Sequence, residues 1–255
     1  MTIKACIKSM RLRTLPLSLS GIIVGIALAS SVTQPKLPVV ISLVLTTILL
    51  QILSNLSNEL GDTLHGTDTD ERQGIHYSIQ DGEMTVAQMR CLINIITALC
   101  CISGLAMIWF SFHKLSAVEP LCFIVLGAAA IWAAKHYTLG TNPYGYRGLG
   151  DLFVFIFFGL VAVLGAGYVC SDTIKPLWIL PAAAIGCWSV GVLNVNNIRD
   201  MNTDAATRVT VALKLGLHRA RVYQTVLVVA GWLFILTYTA LTVTKWEQFL
   251  YLNSI

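Results

Sequence analysis

The sequence predicts an all-α, polytopic bundle of about seven transmembrane helices, and three features predict it. The 255 residues are 56% hydrophobic and only 12% charged, against about 25% charged residues in an ordinary soluble domain. Apolar runs of bilayer-spanning length, about 17–25 residues each, recur along the whole chain. The basic residues gather on every second connection between those runs, as membrane topology demands.

The runs fall at roughly 14–33, 37–57, 91–112, 118–135, 151–171, 177–197 and 222–244. They leave no stretch for a separate soluble domain, so 1–255 reads as one domain. The first run follows a charged stretch and has no small-residue cleavage site before the second, so it reads as a retained helix and not a signal peptide. Short connections at Gln34–Lys36, His113–Glu119 and Asp172–Pro176 pair the runs into hairpins, while 58–90 and 198–221 on the other side are long. Lipid-exposed irregular backbone is excluded from the hydrocarbon core, so the long loops must cap the bundle in water or fold over a cavity. Thr85 ahead of Val86 is a helix-start signal for the third run. Cys6, Cys91, Cys100, Cys101, Cys122, Cys170 and Cys187 include no C-x-x-C pair and read as packing residues.

With the N-terminus taken as cytoplasmic, segments 1–13, 58–90, 136–150 and 198–221, with Lys135 at the edge of the third, hold thirteen of the seventeen Lys and Arg residues. The other side holds only Lys36, Lys114, Lys175 and Lys245. Ten of the thirteen acids, which do not set orientation, lie on the same side as the basic majority. The expectation is a plasma (inner) membrane protein with its N-terminus and working face in the cytoplasm.

Two polar motifs close apolar runs about 140 residues apart. The first runs from Asn55 through Asn58 and Glu59 to Asp62; the second runs from Asn194 through Asn197, Arg199 and Asp200 to Asp204. Asn58 and Asp62, like Asp200 and Asp204, are spaced i, i+4, so each pair projects from one helix face. Ionisable groups at membrane segments are costly and mark function. Carboxylates and amides are hard oxygen donors suited to Mg²⁺, which makes Asn58, Asp62, Asp200 and Asp204 candidate metal-binding and catalytic residues, with Asn197 beside them as a polar ligand. Arg72, Arg199, Arg208 and Lys214 flank the motifs, and the planar guanidinium matches phosphate oxygens. Acids, Mg²⁺ and arginines together make a diphosphate clamp that could neutralise a leaving group. For single acids the plainer alternative is capping or solvation; for Arg199 it is pairing with a neighbouring acid. Arg219 and Arg221 read as topology charges ahead of the last run. Each motif begins with an Asn three residues before another, which is compatible with an internal repeat.

A third polar stretch, Lys135 to Asp151, contains Gly and Pro for a tight turn and three tyrosines, Tyr137, Tyr144 and Tyr146. They offer stacking surface and hydroxyls, although interfacial tyrosine is common in any membrane protein. A transporter is the main rival class, since broken helices and repeats occur there too. However, the charged groups here sit at one face and not in mid-span. An alcohol phosphotransferase would also use acids and Mg²⁺, but its Asp-Gly-x-x-Ala-Arg signature is absent.

Together the three stretches resemble the UbiA superfamily of membrane prenyltransferases, and within it the branch that prenylates 1,4-dihydroxy-2-naphthoate in menaquinone synthesis. The family's Asn-Asp-x-x-Asp motif, with a Gly and an Asp beyond it, is matched by Asn58, Glu59, Asp62, Gly66 and Asp68. Tyr137-Thr138-Leu139-Gly140 and Pro143 to Asp151 match the naphthoate branch, and Asn196 to Asp204 matches the second motif. The resemblance implies a bundle of the family's type and adds Asp68 to the metal-binding set and Tyr144 to the substrate contacts. It implies Mg²⁺-dependent transfer from polyprenyl diphosphate to dihydroxynaphthoate with loss of CO₂. The prenyl tail would lie along lipid-facing apolar helices, and neither nucleic acid nor an obligate protein partner is implied. 4-Hydroxybenzoate, homogentisate and haem stay open as acceptors. Four departures stand out. Glu59 replaces Asp, and Gly74-Ile75-His76-Tyr77 replaces Gly-Pro-x-Arg, so Tyr77→Arg is expected to tighten diphosphate binding. Arg208 stands where the family has Lys, in a stretch slightly short. The family has about nine spans, so the chain reads as lacking the last two family helices.

Overall fold

The computed structural model describes residues 2–67, 77–113, 115 and 117–242. Asp68, Arg72 and Lys114, all singled out above, lie outside the described residues. Helix α1 (Ile3–Met10) is capped by Thr2, whose Oγ1 accepts the Ala5 N–H at 3.2 Å. It ends at Arg11 in the left-handed region, and a 3₁₀ turn (Leu12–Thr14) leads into α2 (Leu15–Ser30). The chain continues through α3 (Leu37–Leu64), α4 (Val86–Phe112) and α5 (Val118–His136). A 3₁₀ turn at Tyr144–Tyr146 precedes α6 (Gly150–Val154), which passes through a π-helical segment, Phe155–Val161, into α7 (Ala162–Ser171). Helices α8 (Ile179–Arg199), α9 (Met201–Asp204) and α10 (Val211–Thr242) complete the described chain. No strand occurs among the described residues; Arg147 and Val209 form an isolated bridge.

Among the described residues, seven helical stretches are long and apolar enough to cross a bilayer, and the protein is an integral membrane protein. Their number matches the sequence reading, but three boundaries move. Helix α3 continues to Leu64, so Asn58 and Asp62 are helical residues on its last turns. Helix α4 starts at Val86, ahead of the apolar run and where the Thr85 start signal put it, with Thr85 and Gln88 forming a reciprocal capping box. Helix α10 starts at Val211 and not near 222, so Arg219 and Arg221 lie inside it; a break at Gly216 (φ 74°, ψ 161°) separates its first turn from the rest. The charges concealed this turn from an apolar-run reading, because a helix needs no apolar run once it has left the bilayer.

Large apolar side chains face outward along the spans, among them Ile23, Ile41, Ile102, Val125 and Leu233, as a lipid-facing surface requires. Between helices lipid supplies no hydrophobic drive, so close packing must hold the bundle. Gly25 on α2 shows how: a Cβ there would meet the Val163 carbonyl at 2.5 Å and Ala166 Cβ at 2.6 Å on α7. Leu53, Leu56 and Leu60 of α3 pack with Met89 and Ile93 of α4, and Trp178 is buried against α2 and α7.

One end of the bundle collects the polar segments. Ser78 Oγ donates to the Ala5 carbonyl at 2.8 Å, and Lys8 pairs with Asp81. Thr138 Oγ1 donates to the Ser57 carbonyl at 3.0 Å, and the Val209 N–H donates to the Tyr146 carbonyl at 3.0 Å. The first residues, the end of α3, the loop from Tyr137 to Leu149 and the α8–α10 connection therefore share one end. Lys36 and His113 meet at the other, with 3.3 Å between their nitrogens.

Candidate active site

The two acid motifs converge at the polar end. Asp62 near the end of α3 and Asp204 closing α9 are both buried. Arg208 lies between them, with Nη2 2.7 Å from Asp204 Oδ1 and Nη1 3.8 Å from Asp62 Oδ1. Burial works against the Arg208 charge, but Asp62 and Asp204 outweigh it and hold the proton more tightly than usual. Asp200, at the α8–α9 junction, accepts from Arg199 Nε and Nη2, each at 2.7 Å. The Asp204 N–H donates to the Asp200 carbonyl at 2.9 Å, which carries the helical spacing of the pair across the junction.

The tyrosine loop covers this cluster. Tyr146 donates its hydroxyl to Asp62 Oδ1 at 2.8 Å and lies 3.1 Å from Thr67 Oγ1. Burial, and then the Asp62 charge, raise the Tyr146 pKa, so it stays a proton donor. Burial also pushes the Tyr137 phenol up to about 12. The loop is seated on α3 by Gly61: a Cβ there would come within 2.6 Å of the Thr138 carbonyl.

A cavity of about 830 Å³ opens inside the bundle below this cluster. Its walls are mostly apolar side chains of α2 to α8, and its polar end is formed by Asn58, Asn196, Lys135, His136 and Tyr137. Tyr144 lines it as well, stacked on Phe153 at 3.9 Å between centroids, with its hydroxyl given to the Ala133 carbonyl at 2.8 Å. The π-helical segment contributes Phe157, Phe158 and Val161 to the wall; such segments are frequent at functional sites.

The structure sorts the sequence-derived residues. Asp62, Asp204 and Arg208 gather in one cluster; Asn58, one helical turn before Asp62, lines the polar end of the cavity, and Tyr144 lies on its wall. At the second motif Asn196, and not Asn197, lines the cavity; Asn197 is buried off the lining, because one residue turns about 100° round a helix. Arg199 is engaged by Asp200, the alternative weighed above. Lys214 is exposed beside Gly148, where a Cβ would stand 2.9 Å from its Nζ. Glu59 is fully buried, and its longer arm accepts the Ile79 N–H at 3.0 Å. The added methylene thus pins the 77–84 segment. Tyr77 overturns an expectation: Arg13 donates to its hydroxyl at 3.2 Å and the Arg11 guanidinium lies 3.5 Å over its ring. Two arginines thus stand against the residue that takes the place of the expected one. They were read only as topology charges, and no local spacing links residues 64 and 66 positions apart.

Among the described residues, no three His, Cys, Asp or Glu side chains stand close enough to hold a metal ion by themselves. The donors that do converge are oxygens from two separate elements, gathered round a cation. That set fits a divalent ion arriving with a diphosphate, whose own oxygens complete the coordination.

A sequence model of the UbiA prenyltransferase family matches residues 18–253. The chain is 39% identical to the 1,4-dihydroxy-2-naphthoate octaprenyltransferase of Escherichia coli, over 91% of this chain and 81% of that protein. It is 38% identical to the enzyme of that name from Haemophilus influenzae, over 94% and 79%. It is 34% identical to the one from Mycobacterium tuberculosis, over 92% and 77%. The chain belongs to the UbiA prenyltransferase family and is a prenyltransferase; the family works with a divalent metal.

Proposed function

We propose that the chain transfers a polyprenyl group from polyprenyl diphosphate to 1,4-dihydroxy-2-naphthoate with loss of CO₂, giving demethylmenaquinone in its quinol form. The observation that carries this reading is an apolar cavity lined at its polar end by Asn58, one helical turn before the buried Asp62 of the acid–arginine cluster, in a chain 39% identical to a relative named for that acceptor. We take the metal as Mg²⁺, the membrane as the plasma membrane, the site as cytoplasmic, and residues 1–255 as one domain. The positive-inside distribution and the gathering of the polar segments at one end support that orientation.

In the reaction the allylic C–O bond breaks and the diphosphate leaves with the electron pair. A ring carbon forms the new C–C bond, and the carboxylate departs as CO₂, its bonding electrons returning to the ring. Asn58, Asp62, Asp200 and Asp204, with Asp68, would hold Mg²⁺, which supplies charge neutralisation of the leaving diphosphate. Arg208 and Lys214, with Arg72 and Arg199, offer donors to its oxygens. Tyr146 fixes the orientation of Asp62 through its hydroxyl, and Tyr144 with Phe153 forms an aromatic wall for the acceptor ring. The apolar cavity keeps water from the allylic cation and accommodates the prenyl chain.

The test is an assay of purified protein with polyprenyl diphosphate and a series of aromatic acceptors, with and without Mg²⁺. Turnover restricted to dihydroxynaphthoate and abolished by chelation is expected. Preference for 4-hydroxybenzoate or homogentisate would overturn the acceptor assignment, and metal-independent turnover would overturn the clamp.

A further inference from the structure

One charge on the cavity wall is left unused by the chemistry above. Among the described residues, Lys135 is the only lysine on the lining, which holds no arginine and no carboxylate. Lys135 lies in the last turn of α5 and is half-buried, and no acid among the described residues pairs with it. His136 beside it is already engaged: its Nδ1 lies 3.0 Å from the Trp132 carbonyl, and its ring stacks on Trp132 at 4.9 Å between centroids. Lys135 thus brings a single ammonium to the edge of an apolar chamber. A lysine at a helix C-terminus also suits the helix dipole and the membrane topology, but neither role needs it on a cavity wall.

The level of Lys135 in the bundle is fixed by the residues that follow it. The Leu139 N–H donates to the Lys135 carbonyl at 3.2 Å, so one further turn carries the chain past Thr138. Thr138 Oγ1 donates to the Ser57 carbonyl at 3.0 Å and lies 3.4 Å from Asn58 Oδ1. Lys135 therefore stands about one helical turn, roughly 5 Å along the bundle, from the level of Asn58. That is the end of the cavity where the allylic carbon would be released from its diphosphate.

The two proposed substrates each carry an anionic group. The diphosphate has Arg208 and the acids that would hold its metal, and Arg208, Asp62 and Asp204 all stand off the cavity lining. The carboxylate of the aromatic acceptor has no such partners. A carboxylate taken from water into an apolar cavity needs a counter-ion, and Lys135 is the cation within the lining. We infer that Lys135 holds the carboxylate of the aromatic acceptor beside the allylic carbon, and that this contact is lost with CO₂. This rests on the reading of the chain as an aromatic prenyltransferase. The ammonium keeps its proton throughout: the C–C bond forms, the bond to the carboxylate breaks, and its electrons return to the ring. The resulting quinol is neutral and offers Lys135 no charge. The same cation therefore draws in the acid and lets the product go.

The experiment compares 1,4-dihydroxy-2-naphthoate with 1,4-dihydroxynaphthalene, the same ring without the carboxylate, both kept reduced. The acid is read by its KM and the diol by its inhibition constant. The proteins are wild type, Lys135→Met, which keeps the length and loses the charge, and Lys135→Arg, which keeps the charge. In wild type the diol should bind about tenfold more weakly, the scale of one charge-assisted hydrogen bond at a half-exposed site. Lys135→Met should raise the KM for the acid by a similar factor, leave the diol within about twofold and leave the KM for polyprenyl diphosphate unchanged. Its kcat should not fall, because the contact stabilises a carboxylate that must leave. Lys135→Arg should bring the acid back to within about threefold of wild type. Equal weakening of acid and diol would make Lys135 merely structural and overturn the inference. A higher KM for polyprenyl diphosphate would assign the ammonium to the diphosphate, and an unmoved KM for the acid would leave it a topology charge; either result also overturns the inference. So would equal binding of acid and diol to wild type, a comparison that needs no variant to fold. A wild type that prenylates no aromatic acid would overturn the functional reading itself. An active enzyme indifferent to the carboxylate would overturn this inference alone.

Discussion

Arg208→Ala removes the cation shared by the two acid motifs. The side chains of Arg208, Asp62 and Asp204 are 10%, 4% and 1% exposed, so water cannot replace the guanidinium. Removing one partner of a buried ion pair costs about 3–5 kcal/mol. Only the 2.7 Å contact to Asp204 has hydrogen-bond length; Asp62 at 3.8 Å adds Coulomb attraction alone and keeps the Tyr146 hydroxyl. The loss should therefore sit near the lower end, about 3 kcal/mol. Thermal unfolding of the purified protein in nanodiscs reads it as a lower melting temperature. The same scan with added Mg²⁺ should recover more of the loss in Arg208→Ala than it adds to wild type, because a divalent ion can take the vacated position between two carboxylates. An unchanged melting temperature would refute the shared-cation geometry. A metal response no larger than wild type would refute the view that these acids can bind a metal.

Asp62→Ala and Asp204→Ala should each abolish prenyl transfer while the protein still inserts; activity near wild type at matched membrane expression would exclude them from the metal clamp. Gly61→Ala should press on Thr138, whose backbone cannot yield as a flexible side chain can, costing about 1–3 kcal/mol and lowering kcat as the tyrosine loop lifts off α3; a normal melting temperature would contradict the seating. In a background lacking native cysteines, an impermeant thiol reagent applied outside the cell should label Lys175→Cys and not Glu83→Cys, and the reverse would place the site outside. Tyr77→Arg should raise the KM for polyprenyl diphosphate or lower the melting temperature, since a third guanidinium would sit between Arg11 and Arg13; a lower KM would restore the expectation drawn from sequence.

The spans were legible because a bilayer imposes length and polarity on every crossing helix. Asn58 and Asp62 were legible too, as polar residues at helical spacing on the end of an apolar run. The same rule extended backward along α3, from Asn58 through Asn55 three residues before it, would have found Gln51, seven residues before Asn58. Gln51 was passed over because an uncharged amide hardly disturbs an apolar run. Asn197 was chosen over Asn196 because adjacent residues differ only in helix phase, and phase is fixed by what α8 packs against. The contribution of Tyr146 was undecidable from the chain alone: its hydroxyl meets Asp62 across 84 positions, and interfacial tyrosines are common whether or not they touch a site.

Charge shows the same limit from another side. Arg11, Arg13 and Arg208 are alike in sequence, each a basic residue on the side rich in Lys and Arg, and counting them sets orientation equally well. Folding gives them different work. Arg208 is drawn inward because two buried acids from separate motifs need a cation. Arg11 and Arg13 are drawn to Tyr77, where an aromatic face and a phenol oxygen meet them. A tyrosine in place of an expected arginine therefore does not empty the position of charge. It gathers charge from the α1–α2 turn instead, and that turn is itself tied to α3 through Met10, Thr14 and Asn55. Gln51 joins the same tie, its Nε2 donating to Thr14 Oγ1 at 3.2 Å, so the turn that carries the two arginines is held to α3 by amides and not by sequence neighbours.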